Sequence, residues 1–131
     1  MNHIAINPWT WQDALSFSQA VVVPAGERTV VLAGQGPLDA DGRVIHVGDM
    51  EGQITAAMDN LETVLAASAM SLADVVRINI FTTDVDRLFA AYGTLATRLA
   101  AGCCTPASTL IGVTRLALAG MEIELEATAS R

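Results

Sequence analysis

Lysine is absent from this 131-residue chain, and all seven basic side chains are arginines. Schiff-base catalysis through a lysine amine is therefore excluded. The arginines stand singly, at Arg28, Arg43, Arg77, Arg87, Arg98, Arg115 and Arg131. Against fourteen acidic residues they leave a net charge of −7. The basic stripe expected of a nucleic-acid binder is missing. Cysteine is confined to the adjacent pair Cys103-Cys104. Adjacent cysteines rarely close a disulfide because the geometry strains the peptide between them, so reduced thiols are expected. His3 and His46 are the only histidines, and no CxxC or HxxxH spacing exists, so no metal site is expected. The opening "MNHIAINPWTWQD" lacks a basic segment followed by an apolar one, so no signal peptide is read and a cytoplasmic location is expected. Long hydrophobic runs are lacking too: the longest reach about ten residues, too short to span a bilayer.

What is abundant is apolar surface. Hydrophobic residues make up 52% of the chain, charged residues only 16%, and mean hydropathy is +0.43. The length suits one domain over residues 1–131. A lone domain of this size does not readily hide so much apolar area, which points to a homo-oligomer with buried interfaces. No linker, internal repeat or low-complexity tract interrupts the chain.

Periodicity divides the chain into strands and helices. "IAIN" is a short β-prone run, and "LSFSQAVVVP" and "GERTVVLAGQGPL" read as strands paired through a turn at Pro24–Glu27. "DADGRVIHVG" reads as an Asp-Gly turn and a short strand. Over Met50–Met70, Ile54, Met58, Leu61 and Leu65 recur at helical steps, with Asp49 placed to cap the start. "SLADVVRINIFTTD" begins as a Ser-capped turn and becomes a strand over Val75–Thr82. Asp84 caps a second helix with a stripe of Leu88, Ala91/Tyr92, Leu95 and Leu99, ended by Gly102. "STLIGVTRLAL" and "MEIELEATA" supply the last strands. The order predicts an α+β fold with one mixed sheet and two helices on one face.

Several features carry candidate chemistry. Glu122, Glu124 and Glu126 are two residues apart, so a strand turns all three to one face and Met121, Ile123, Leu125 and Ala127 to the other. Spacing alone favours an exposed acidic face; a glutamate drawn into a cleft would instead serve as a general acid or base. Cys103 and Cys104 have no histidine nearby in sequence and read as packing residues. "LAGQGPLD" has neither phosphate-loop nor dinucleotide spacing. It reads as a tight turn whose N–H groups could meet an anion. Trp9, Trp11, Phe17 and Tyr92 read as core or interface aromatics.

The order of motifs resembles the RidA/YjgF family of reactive intermediate deaminases, once described as translation inhibitors or endoribonucleases. "FSQAVVV" and "VVLAGQGPLDADGRV" are similar to its aromatic-x-Gln and SGQ-x-P segments. "QITAAMDNLETVLAASAMSLADVVRINIFTTDVDRLFAAY" matches its central helix and strand, and "TPASTLIGVTRLALAGMEIELEATA" its Pro-Ala-Arg and Glu-Ile-Glu region. The resemblance implies a chorismate-mutase-like α+β fold assembled as a homotrimer around a central β-barrel, with small-metabolite clefts between subunits. It implies hydrolysis of enamine or imine intermediates, such as 2-aminoacrylate, with no cofactor and no metal. It places Glu124 on the family's functional glutamate and Gly34 and Gln35 on its glycine-glutamine turn. Phe17 takes the place of a tyrosine, Ala33 of a serine, and Tyr92 of a frequent asparagine.

One departure bears directly on substrate. Where the family has Pro-Ala-Arg, this chain has Pro106-Ala107-Ser108, and serine cannot form a charged bidentate clamp on a carboxylate. Arg115, seven residues on, matches a different, commonly basic family position and is not read as the substitute. The expected activity is thus processing of a small imine or enamine-type metabolite that lacks an arginine-held carboxylate. Glu124 would be the acid/base, Ser108 and Thr109 would offer hydroxyls, and Phe17 and Tyr92 would shape an apolar cleft. The alternatives are a non-catalytic trimer that binds a metabolite or partner protein, and an endoribonuclease, which the net acidity disfavours.

Overall fold

The computed structural model describes residues 3–131. Its strands are β1 (Ile4–Ile6), β2 (Ala20–Val22), β3 (Thr29–Val31), β4 (Val75–Thr82), β5 (Ala107–Gly112) and β6 (Ile123–Ser130). Its helices are α1 (Met50–Ala67), α2 (Val85–Ala90) and α3 (Tyr92–Ala101). β3, β6, β4 and β5 form a mixed sheet in that order, antiparallel except for the parallel β4–β5 pair. Parallel neighbours need a long crossover, and α2 and α3 provide it.

β6 is one of the two inner strands of the sheet, and its side chains alternate with period two. Ile123 and Leu125 are fully buried, Ala127 and Met121 nearly so, and the intervening glutamates are only half-buried. α1 packs on β6 and beside α3. The predicted stripe of Ile54, Met58, Leu61 and Leu65 is fully buried, together with Leu88, Leu95 and Leu99 from the second helical region. Asp49 caps α1 by accepting from the Gly52 N–H at 3.0 Å, and Asp84 caps α2 by accepting from the Arg87 N–H at 3.0 Å. Ser71 and Asp74 form the capping turn before β4.

The α+β fold is as expected, with corrections of detail. β2 does not pair with β3; it pairs with β1 in a separate two-stranded ribbon, while β3 joins β6. A local turn signal cannot outweigh the long partner that β6 offers. The second helix breaks at Ala91 into α2 and α3. The strand expected after Asp41-Gly42 shrinks to one bridge between Leu38 and Val44, and β5 ends at Gly112.

Gly102 caps the end of α3 as expected, but the left-handed residue is the next one, Cys103, with φ 53°. The Cys104 N–H returns to the Leu99 carbonyl and the Cys103 N–H to that of Ala100, a Schellman turn. Gly102 is required for space, since a Cβ there would lie 2.6 Å from Leu72. α1 ends the same way, with Ala69 at φ 57° and the Met70 N–H returning to the Leu65 carbonyl. Cys104 is buried as a packing residue, whereas Cys103 is exposed.

Candidate functional site

All helices pack on one face of the sheet, so the other face carries the polar side chains of β4, β5 and β6. Strand register sets its rows. Glu126 stands opposite Asn79, which neighbours Thr109; Glu124 stands opposite Phe81, which neighbours Ile111. Asn79 Nδ2 donates to Glu126 Oε1 at 2.9 Å, and Arg77 Nη2 donates to Thr109 Oγ1 at 2.5 Å.

The three glutamates are thereby distinguished. Glu126 is engaged by Asn79. Glu122 is ion-paired with Arg87, whose other nitrogen donates to the Gly48 carbonyl at 3.0 Å. The second oxygen of Glu122, Oε2, is buried without a partner among the described residues. Glu124 has no hydrogen-bond or ion-pair partner among the described residues and remains half-buried. Its carboxyl is the one that this face leaves uncommitted.

A bulge brings Gly34 onto that carboxyl. The Leu32 N–H donates to the Ala127 carbonyl at 2.8 Å, and Gln35 exchanges both main-chain bonds with Leu125, at 2.6 and 2.9 Å. Three steps on one chain thus face two on β6, and the extra residue loops outward. A Cβ at Gly34 would overlap Glu124 Oε1 and lie 2.7 Å from its Cδ. Only glycine admits so close an approach. The predicted tight turn at Gly34-Gln35 is this bulge.

The other expected site residues lie elsewhere in the protomer. Ser108 pairs with the fully buried Ile78, so it points to the helix side, whereas Thr109 points to the side of Glu124. Adjacent strand residues cannot share a face, so within one protomer only Thr109 of the two lies on the side of Glu124. Tyr92 is buried in the helical layer. Its hydroxyl donates to the Leu15 carbonyl at 3.1 Å, its ring stacks on Phe89, and burial raises its pKa. Phe17 meets Trp11 edge-on, with ring centroids 5.7 Å apart. The Ser18 N–H, donating to the Pro106 carbonyl at 2.8 Å, sets Phe17 beside the start of β5.

One protomer therefore gathers Glu124, Gly34, Gln35 and Thr109 on or beside one sheet face, apart from Ser108 and Tyr92. Sequence reasoning missed Arg77, Asn79 and Phe81 on that face. The signal was present, since "RINIF" alternates polar and apolar residues at the strand period. Among the described residues no group of three His, Cys, Asp or Glu is placed to hold a metal ion, and no helix is long and apolar enough to cross a membrane.

Comparison with known proteins agrees with this architecture. Residues 11–131 match the family described as Endoribonuclease L-PSP. The chain is 31% identical over 117 residues to Protein HMF1 of Saccharomyces cerevisiae, covering 89% of this chain and 85% of the yeast protein. It is 46% identical over 69 residues to Protein DfrA of Myxococcus xanthus, covering 53% of this chain and about half, 52%, of that relative's length. The fold matches all of both chains in the crystal structure of YyfB from Yersinia pestis, a protein of unknown function of the conserved Rid family, with a TM-score of 0.88 and 32% identity. With a mixed sheet, helices on one face and this match over nearly its whole length, the chain belongs to the Rid/YjgF family.

Proposed function

We propose that this protein hydrolyses a small reactive imine or enamine, using Glu124 as the acid/base. Membership of the Rid/YjgF family supports a small-molecule processing role. The observation that carries the finer reading is the uncommitted Glu124 carboxyl held against Gly34. Such a carboxylate takes a proton from water as the oxygen adds to the C=N carbon, then delivers it to nitrogen. Collapse of the resulting carbinolamine breaks the C–N bond. One water enters, and one ammonia and one carbonyl compound leave.

Assembly completes the site in this reading. The helix-free face leaves Val31 78% and Ile111 43% exposed, an apolar rim suited to burial between subunits. A homotrimer with clefts between subunits would bring Phe17, Ser108 or Tyr92 of one copy towards Glu124 of another. Ser108 in place of an arginine supports a substrate other than a short 2-imino acid, whose carboxylate needs a fork beside the reacting carbon. An endoribonuclease role is opposed by the net charge of −7 and by three glutamates on the candidate face, which repel a phosphate backbone.

The test is turnover of an imine and enamine panel by wild type and Glu124→Gln. We expect the best substrate to lose about a hundredfold or more in kcat. Unchanged turnover would overturn the assignment. Ligand-induced thermal stabilisation with no turnover of any panel member would favour a non-catalytic binding trimer, the reading that the missing arginine fork also suits.

A further inference from the structure

We infer that Arg115, with Thr83 and Thr114, forms an anion subsite next to Glu124, and that the substrate carries a carboxylate several bonds from its reacting carbon. The inference rests on the imine/enamine reading of Glu124 for the reaction, though not for the binding. A cavity of about 400 Å³ at the end of the sheet is lined by Thr83, Thr114, Arg115, Leu116, Leu118 and Met121, with no acidic residue in its wall. An arginine and two hydroxyls on an otherwise apolar wall suit an anionic head on a short carbon chain.

The other arginines are differently occupied. Arg43, Arg87 and Arg98 are paired with carboxylates. Arg28 donates to the Ser68 carbonyl and Arg77 to Thr109. Arg131 shares its cavity with Glu27. Arg115 makes no hydrogen bond or ion pair with the described residues, so its fork is free. The segment that carries it adds further donors. Val113 and Met121 have their N–H groups held by Thr82 and Leu118, and between them no main-chain N–H is taken up by a main-chain carbonyl among the described residues. Free N–H groups beside a guanidinium favour an anion.

Register fixes where this subsite stands relative to Glu124. Glu124 is opposite Phe81, and Thr83 follows directly on the last residue of β4, with its N–H donating to the Glu122 carbonyl at 3.2 Å. Two strand residues span about 7 Å. A carboxylate held there cannot be bonded directly to the carbon at Glu124, as in a 2-imino acid, but can be separated from it by intervening methylenes.

Calorimetric titration of the full-length protein with two oxo-acid product analogues, 4-oxobutanoate and 2-oxobutanoate, tests this. Wild type should bind 4-oxobutanoate the more tightly. Arg115→Ala should weaken that binding roughly tenfold or more while leaving the melting temperature unchanged, since Arg115 is exposed. Equal binding of 4-oxobutanoate by wild type and Arg115→Ala, or no preference between the two acids, would overturn the subsite. Binding and turnover separate the two readings. Arg115-dependent binding alongside turnover that survives Glu124→Gln keeps the subsite and removes the Glu124 mechanism; the opposite pattern does the reverse.

Discussion

The carboxyl of Glu124 lies against the main chain of Gly34, at a place where any Cβ would displace it. The bulge that creates the contact also keeps Gln35 in register with Leu125. Position 34 therefore sets the aim of the glutamate without touching it through a side chain. Gly34→Ala should swing the carboxyl away and lower kcat by about a hundredfold, the cost of misplacing a reacting group by an ångström or so. Because the displaced atoms are the free end of a flexible side chain, unfolding in urea should change by less than about 1 kcal/mol. A large stability loss with activity per folded molecule intact would contradict this.

Ser108 is where the chain departs most from its family's carboxylate clamp. Wild type should hydrolyse the imine derived from 2-aminoacrylate poorly. Ser108→Arg should raise kcat/KM for that substrate roughly tenfold, about what one added charge-assisted contact supplies. Ammonia release measured by a coupled assay reads both. Robust wild-type turnover would show that the fork is dispensable.

Both helix-ending turns put a side chain where glycine is preferred. Cys103 and Ala69 have φ of 53° and 57°, and the left-handed conformation costs an L-residue about 1–2 kcal/mol. Cys103→Gly and Ala69→Gly should each stabilise the fold by about 1 kcal/mol, raising Tm by roughly 3 °C. The two sites end different helices, so the gains should add in the double variant.

The adjacent thiols should behave as opposites. Burial pushes the Cys104 thiol up to about 12, while Cys103 is exposed. Native protein should take up one equivalent of iodoacetamide per chain at pH 8, and denatured protein two. A folded-state pKa above the unfolded one favours the native state fully below about pH 9. That contribution is lost as pH rises towards 12, by about 1.4 kcal/mol per pH unit for one proton. Cys104→Ala should therefore show a shallower alkaline loss of stability in urea melts, although it is less stable at neutral pH.

Much of this was legible without coordinates. The alternation through Met121–Ala127 named the buried residues of β6, and the helical steps of Ile54, Met58, Leu61 and Leu65 named the buried stripe of α1. Asp49, Ser71 and Asp84 announced their capping roles. These signals are local, so neighbours in sequence suffice to read them. The partner of β2, the face of Ser108 and the occupied hydroxyl of Tyr92 depend on segments far away in the chain; sequence order misassigned the first and left the other two open.

Side-chain direction alternates wherever a strand forms, so the spacing of the three glutamates already puts them on one face. The composition likewise rules out a lysine, and position 108 an arginine, as participants. Which glutamate is left without a partner among the described residues depends on segments distant in the chain. Arg87 arrives from α2, Asn79 from β4 and Gly34 from the bulge after β3, and each settles one carboxyl. Strand pairing and register arise from the packing of the whole sheet, which no local period encodes. The same packing leaves Arg115 without a partner among the described residues.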